Sequence, residues 1–405
     1  MALAAVWLGL RTLPATAEED SKDKERTGPR WYVVPNLAYD SDDGLGFGAR
    51  GELAIVEPGY EPYRAAYVCH LYASLRGFHH HRLRYDRLGL GPGGRLRLTV
   101  HLAWRQWLND GYWGIGNGTT REPEFADESD DDAAGGKRYR YKLFQPFAHI
   151  TLRAEVSGPL KAFASLNGKW SEIGTYENSL LSEQQPNGFD GGLGLILSAG
   201  ILYDTREPEI NPRDGYFAEL SGRYALPVPE SAGNFGGMMA SIRGYFSLGA
   251  RVVFATRLMA EQLFGDIPFY EMVHWGGAVP VAGFGGFETL RGVRFGRWRA
   301  PGKAILNAEL RAGLFEHRLR RQTMQWQGAL LADAGIVFGS KYRTTDRRAD
   351  IPVHPAVGVG LRAIYAESFV ARLDVGVGLD PVMEADDEVT QRPSFGIYVV
   401  FDHAF

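Results

Sequence analysis

The chain has 405 residues, 45% hydrophobic, 12% aromatic and 23% charged, with 51 glycines and a formal net charge of −4. That balance, without a dense basic stripe carrying interleaved aromatics, gives no reason to expect nucleic acid. No run approaches the ~18 consecutive apolar residues of a membrane helix, but a membrane barrel stays open, because only every second residue of its strands faces lipid.

The N-terminus comes first. Ala2 to Leu10 is a short apolar run, and Ala15-Thr16-Ala17 is a small-x-small cleavage site before Glu18-Glu19-Asp20. Residues 1–17 are therefore expected to be an export signal, although a basic leader is missing and Arg11 interrupts the run. Residues 18–30 read as a short charged tail, with a barrel over 31–405. The one cysteine, Cys69, permits no intramolecular disulfide.

From there the chain alternates with period two. Strands are expected near 31–40, 45–56, 63–75, 79–90, 95–107, 138–155, 160–173 and 191–204. They continue near 215–226, 236–248, 251–262, 303–315, 325–338, 353–365, 368–379 and 393–405. Most reach the ~9–11 residues of a tilted membrane strand, whereas soluble strands run to about 5–6. Tight connections (Gly91–Gly94, Ser157–Pro159, Gly249–Ala250) alternate with long polar ones (Leu108 to Lys137, Thr175 to Asp190, Leu263 to Gly302). Short periplasmic turns and long outer loops are the habit of outer-membrane barrels. The expected fold is thus all-β, a transmembrane antiparallel β-barrel of about sixteen strands. A soluble sandwich or lectin is the competing class, and it predicts partitioning into water without detergent.

Parity supports the membrane. Leu306, Ala308, Leu310 and Leu314 share a face opposite Asn307, Glu309 and Arg311; Ala371, Leu373 and Val375 oppose Arg372 and Asp374. Arg50, Glu52, Arg153, Glu219, Arg223, Arg243, Arg257, Glu261, Asp333 and Arg362 also fall opposite the aliphatic face. A charge facing lipid at mid-depth costs about 2–4 kcal/mol. The fourth segment, with His79-His80-His81, Arg82, Arg84 and Arg87, is the least regular. Only His79 and His81 share a face, so a polar loop edge is preferred there to a metal site. The acidic run Asp127 to Asp132 lacks the glycine and terminal glutamate of an EF-hand and reads as a solvated loop. Asn117-Gly118-Thr119 matches a glycosylation acceptor only formally. No Gly-x-Ser-x-Gly, phosphate loop or His-Glu-x-x-His occurs, and Ser198 has no histidine near it in sequence. Neither an enzyme nor a cofactor is expected.

Three sets of residues together resemble the BamA/TamA outer-membrane assembly-factor family, also called the bacterial surface antigen family. Leu290-Arg291-Gly292-Val293, in a glycine-rich segment after the eleventh strand, is similar to the family's (V/I/L)-R-G-(F/Y) loop tip. Val293 stands where an aromatic is usual, with Phe295 two residues on as a candidate substitute. Glu309 and Asp333 match the strand acids that receive the loop arginine in that family, and both have inward parity. Asp204-Thr205-Arg206, followed by Pro208, Pro212 and Gly215, resembles the family's turn between the eighth and ninth strands. The resemblance is specific from about Tyr203 to Phe405. It implies a long, lumen-directed sixth extracellular loop and a terminal insertion signal at Phe401 and Phe405.

It further implies a bacterial outer-membrane location with both termini periplasmic. Its implied partners are outer-membrane lipid including lipopolysaccharide, the barrel assembly machinery during biogenesis, and a separate periplasmic partner chain. Assembly and secretion members carry POTRA domains before the barrel, and the expected tail leaves no room for one, so the chain resembles a barrel-only member. The implied activity is insertion of proteins into the outer membrane or translocation across it, through a weakly zipped seam between first and last strands. The alternative is a passive channel or structural barrel without assembly activity.

Overall fold

The structure, a computed structural model, describes residues 27–40, 43–117, 137–207, 209, 211–319, 322–339, 353–365, 369–380, 394–401 and 405. The expected export signal, the acidic run at 127–132 and Pro208 lie outside these residues. Sixteen strands follow in chain order. They are β1 (Gly28–Asp40), β2 (Gly44–Val56), β3 (Ala65–Ser74), β4 (Phe78–Leu90), β5 (Leu96–Gly111), β6 (Arg140–Ser157), β7 (Leu160–Thr175) and β8 (Gly192–Asp204). Then come β9 (Gly215–Ala225), β10 (Phe235–Ser247), β11 (Val252–Gly265), β12 (Gly302–Leu319), β13 (Gln322–Phe338), β14 (His354–Tyr365), β15 (Phe369–Gly378) and β16 (Ser394–Phe401). A five-residue helix, α1 (Leu180–Gln184), lies between β7 and β8.

Each strand pairs antiparallel with its sequence neighbours, and β1 meets β16 to close the barrel. Closure leaves backbone groups paired where no water is available, which lipid demands of a spanning sheet. All sixteen expected segments form strands, though β1 starts three residues before Trp31, β5 runs on to Gly111 and β16 stops at Phe401.

The two faces separate as alternation requires. Ile201, Leu220, Ile242, Leu258, Leu306, Leu330 and Val359 are exposed on the outside, while Glu219, Arg223, Arg257, Glu261, Glu309, Arg311, Asp333, Arg362, Arg372 and Asp374 are buried inside. Exposed aromatics gather near both strand ends. Trp31, Tyr203 and Tyr216 lie toward the short-turn end, and Tyr39, Trp104, Trp170 and Tyr224 toward the other. Amphipathic rings settle at the two membrane interfaces.

The fourth strand is more regular than its composition suggests. His80, Arg82, Arg84 and Asp86 point inward; His79, His81, Leu83 and Tyr85 point outward. His79 and His81 lie against the outward Trp104, at ring distances of 6.3 and 4.9 Å, so they line the outer wall and not a loop edge.

The seam differs from every other junction. β1 is paired with β2 at each residue from Gly28 to Asp40, yet it meets β16 at a single described register pair, Asp40 opposite Tyr398. Strand β1 carries Pro29 and Pro35 at the same parity. Proline lacks the N–H a ladder needs and is confined to edge strands or bulges. Among the described residues, the side of β1 toward β16 therefore behaves as an edge before Asp40.

Candidate functional site

The connection between β11 and β12, residues 266–301, folds into the barrel. Phe269, Tyr270, Met272, Val273, Trp275, Phe284, Leu290, Val293 and Ala300 are all buried. Trp275, Phe284, Leu290, Val293, Trp298 and Ala300 make one core with inward Met259, Ile305, Val337 and Ala356 of β11 to β14. An apolar loop packed against an otherwise polar wall excludes water from the groups between them. Their electrostatics strengthen accordingly.

Arg291 sits at the centre of this contact, 1% exposed. Its backbone N and its Nε donate to one oxygen of Asp333, at 3.0 and 2.8 Å, and its Nη2 donates to the other at 2.7 Å. Its Nη1 donates to Glu309. The guanidinium fork thus meets one carboxylate bidentately and bridges to a second, the geometry in which arginine binds most specifically. A third acid stands behind them: Asp374 lies 3.8 Å from Nη1.

Further arginines balance these acids. Arg311 Nε donates to Glu309 at 2.7 Å, Arg372 Nη1 to Asp374 at 2.7 Å, and Arg362 Nη1 also to Asp374. Asn307 Nδ2 donates to Asp333 at 2.7 Å and to the Thr289 carbonyl at 2.5 Å, tying the loop backbone to the same acid. Removing one member of such a desolvated network typically costs about 3–5 kcal/mol, because the remaining charge is left buried without a partner.

Gly292 explains the loop tip's close approach. Its φ of +103° suits glycine, and a Cβ there would sit 2.5 Å from the Val377 nitrogen. The wall yields on its side too, since a Cβ on Gly376 would lie 2.4 Å from the Arg291 carbonyl oxygen. Gly292 N then donates to the Tyr398 hydroxyl at 3.1 Å, so the loop tip is bonded to the last strand. Val293 packs over Gly378. The Phe295 ring lies 4.9 Å from that of Trp107 of β5.

Two further contacts hold the loop. Glu261 of β11 accepts from the Gly276 backbone at 2.9 Å and pairs with Lys303 at 2.6 Å and Arg223 at 2.9 Å. Loop residue Glu271 pairs with Lys169 of β7 at 2.5 Å. Sequence parity puts Glu261 and Arg223 inward, but nothing in their spacing identifies loop partners. Asp374 was readable as a third acid, since it shares inward parity with Glu309 and Asp333.

The turn after β8 is built as its residues suggest. Arg206 donates from Nε and Nη2 to the two oxygens of Asp204, at 2.9 and 3.0 Å. Gly215 has φ +101°, with space for a Cβ blocked 2.3 Å away by the Thr205 carbonyl, and Pro212 is buried. Asn117 donates to the Val337 carbonyl at 2.8 Å and its Oδ1 lies 3.0 Å from His354 Nε2, so it is a bridge between loop and wall.

The terminal aromatics divide. Phe401 ends β16 opposite Ala371. Period-two counting gives Phe405 the outward parity of Ile397, Val399 and Phe401, but it turns inward instead: it is buried with Tyr245 and Ala255, and its ring lies 4.8 and 5.6 Å from the Arg257 and Arg311 guanidiniums. Strand parity holds only within a strand, and Phe405 lies outside β16 (Ser394–Phe401).

Sixteen antiparallel strands closed into a barrel, with aliphatic side chains outside and charged ones within, make an outer-membrane β-barrel. The family model for the Omp85 superfamily domain matches residues 167–397, more than half of the chain, and the chain belongs to that superfamily. Among solved structures it is similar to BamA from Haemophilus ducreyi lacking POTRA domains 1-3, with TM-score 0.59 at 15% identity, covering 94% of this chain and 71% of that one. CdiB from Escherichia coli gives TM-score 0.59 at 14% identity, covering 96% of this chain and 68% of that one. CdiB from Acinetobacter baumannii gives 0.51 at 14% identity, over 91% and 59%. A search of curated protein sequences finds no match.

Proposed function

We propose that this barrel assists the insertion of proteins into the outer membrane, or their translocation across it, by opening the β1–β16 seam. The observation that supports this reading most is that the described residues make a single register pair at that seam, beside a last strand bonded to the loop tip through Tyr398. An unpaired strand edge offers a row of backbone donors and acceptors to an incoming strand. In this reading the long connections are extracellular, both termini are periplasmic, and residues 266–301 are the sixth outer loop. Lipopolysaccharide surrounds the outer leaflet, the barrel assembly machinery inserts the chain itself, and a separate periplasmic partner delivers substrate.

The test is a lock beside the existing register pair. Tyr39→Cys with Val399→Cys, in a Cys69→Ala background, is reconstituted into vesicles and given a urea-denatured outer-membrane barrel. Folding of that substrate is followed by its heat-modifiable gel mobility. Oxidised protein is expected to lose the acceleration that reduced protein gives. Equal acceleration in both states, or none in either, overturns the reading.

A second reading, a passive channel, draws on the exposed polar lining near Arg82 and Arg84. It predicts a steady large planar-bilayer conductance that Arg291→Ala leaves unchanged.

A further inference from the structure

Three separate stretches of chain meet at His354, the first residue of β14, at the long-connection end of the barrel. Its Nδ1 lies 3.0 Å from an oxygen of Asp380, in the connection after β15. Its Nε2 lies 3.0 Å from Asn117 Oδ1, in the connection after β5. Its ring stacks on Trp298 of the folded-in loop, with centroids 4.2 Å apart, and Phe284 of that loop stands perpendicular to it at 6.3 Å.

Both ring nitrogens therefore face acceptors. An ionised carboxylate can only accept. The Asn117 amide is oriented by its other end, because Nδ2 donates to the Val337 carbonyl at 2.8 Å and leaves Oδ1 toward the histidine. A neutral imidazole carries one N–H and satisfies one of these two oxygens; the imidazolium carries two and satisfies both. The face of a tryptophan also favours a cation over a neutral ring. Asp380 and Arg297 are the charged groups that these contacts bring to the ring. Asp380 touches it directly, while the Arg297 guanidinium lies 3.9 Å from the Trp298 centroid and opposes a second positive charge. The strand β13 and the connection after β5 present Gly335, Val337 and Asn117, none of them charged. His354 is 2% exposed and Asp380 23%, so the pair is open to water on the Asp380 side, where the proton can leave. Trp298 Nε1 has no acceptor among the described residues, so packing on its rings holds that side chain.

We propose that His354 is a proton-operated clamp on the folded-in loop. Charged, it joins that loop, the connection after β5 and the connection after β15 across one mouth of the barrel. Neutral, it turns a lone pair toward either Asp380 or Asn117, and the stack on Trp298 loses its cation. The sign follows from the form that is held. The clamp is closed at low pH and released as pH rises through the range where histidines give up their charge, about pH 5 to 8. It involves no strand separation at the seam, so its failure would leave the assembly reading untouched.

The test is deuterium uptake by the full chain in detergent micelles at about pH 5.5 and about pH 8, with exchange times scaled for the base-catalysed chemical rate. Peptides over 294–300 report the clamped segment, and peptides over 304–312 in β12 serve as the internal reference. Wild type is expected to exchange about tenfold faster over 294–300 at the higher pH, the worth of one hydrogen bond to a charged group, with the reference unchanged. His354→Gln, which cannot take a charge, is expected to abolish the difference, and Asp380→Asn to shrink it. His317→Gln, exposed near the other end of the barrel, is expected to keep it whole. Equal scaled uptake at the two pH values in wild type overturns the proposal. So does a difference of wild-type size in whichever of His354→Gln and Asp380→Asn folds.

Discussion

The two halves of the lumen solve the same problem in opposite ways. Along β11 to β15 the inward charges Arg257, Glu261, Glu309, Arg311, Asp333, Arg362, Arg372 and Asp374 are almost wholly buried, and a loop from the same chain covers them. Along β2 to β4 several inward side chains keep some exposure, Arg50 and Glu52 at 16% each and Arg84 at 37%, although Asp86 is buried. Both walls show the same period-two alternation. The difference lies in what each wall faces, a folded loop on one side and water on the other. Pairing in the first half is therefore obligatory, and in the second it is optional.

Variants can break that contrast. The largest effect is expected from Asp333→Ala, which takes three donated bonds from Arg291 and one from Asn307. A loss of about 3–5 kcal/mol should appear as a lowered urea midpoint in micelles. Next is Gly292→Ala, which places a side chain at positive φ against the β15 backbone. A cost of about 1–3 kcal/mol is expected, with the barrel losing heat-modifiable gel mobility at a lower temperature. Phe405→Ala removes the ring over Arg257 and Arg311 and should cost about 1–2 kcal/mol, read as a smaller midpoint shift. Least is Glu52→Gln in the open half. Its partners are Tyr32 at 2.5 Å and Arg50 at 3.3 Å, and a change below about 1 kcal/mol is expected. A Glu52 effect as large as that of Asp333 would erase the distinction between the halves.

The seam sharpens the same comparison through dynamics. Amides of β1 that face β16 should exchange with deuterium far faster than those of β12 and β13, which are paired along most of their length. Equal protection would mean that the first strand is held from both sides.

Much of this was legible in the chain itself. Alternation locates every strand because lipid penalises a misplaced charge, and the family resemblance could join Arg291 to Glu309 and Asp333 because both acids carry the inward parity that contact needs. Three things were not. Phe405 leaves the strand before its parity can apply, so counting by twos put it on the wrong face. Tyr398 as the loop tip's acceptor, and Glu261 as the acceptor of Gly276, depend on how residues 266–301 fold in three dimensions. The histidines of β4 read as irregular because two of them share the outer wall with Trp104, where sequence expects aliphatic neighbours.

The hydrogen bond from Gly292 to Tyr398 has a mechanical consequence. It ties the tip of an internal plug to the strand that forms one lip of the gap. Drawing the plug outward must tug or release that lip, and prising the lip apart must unseat the plug. If the seam opens as proposed, that opening and the seating of the loop are thereby geared together by a single phenolic oxygen.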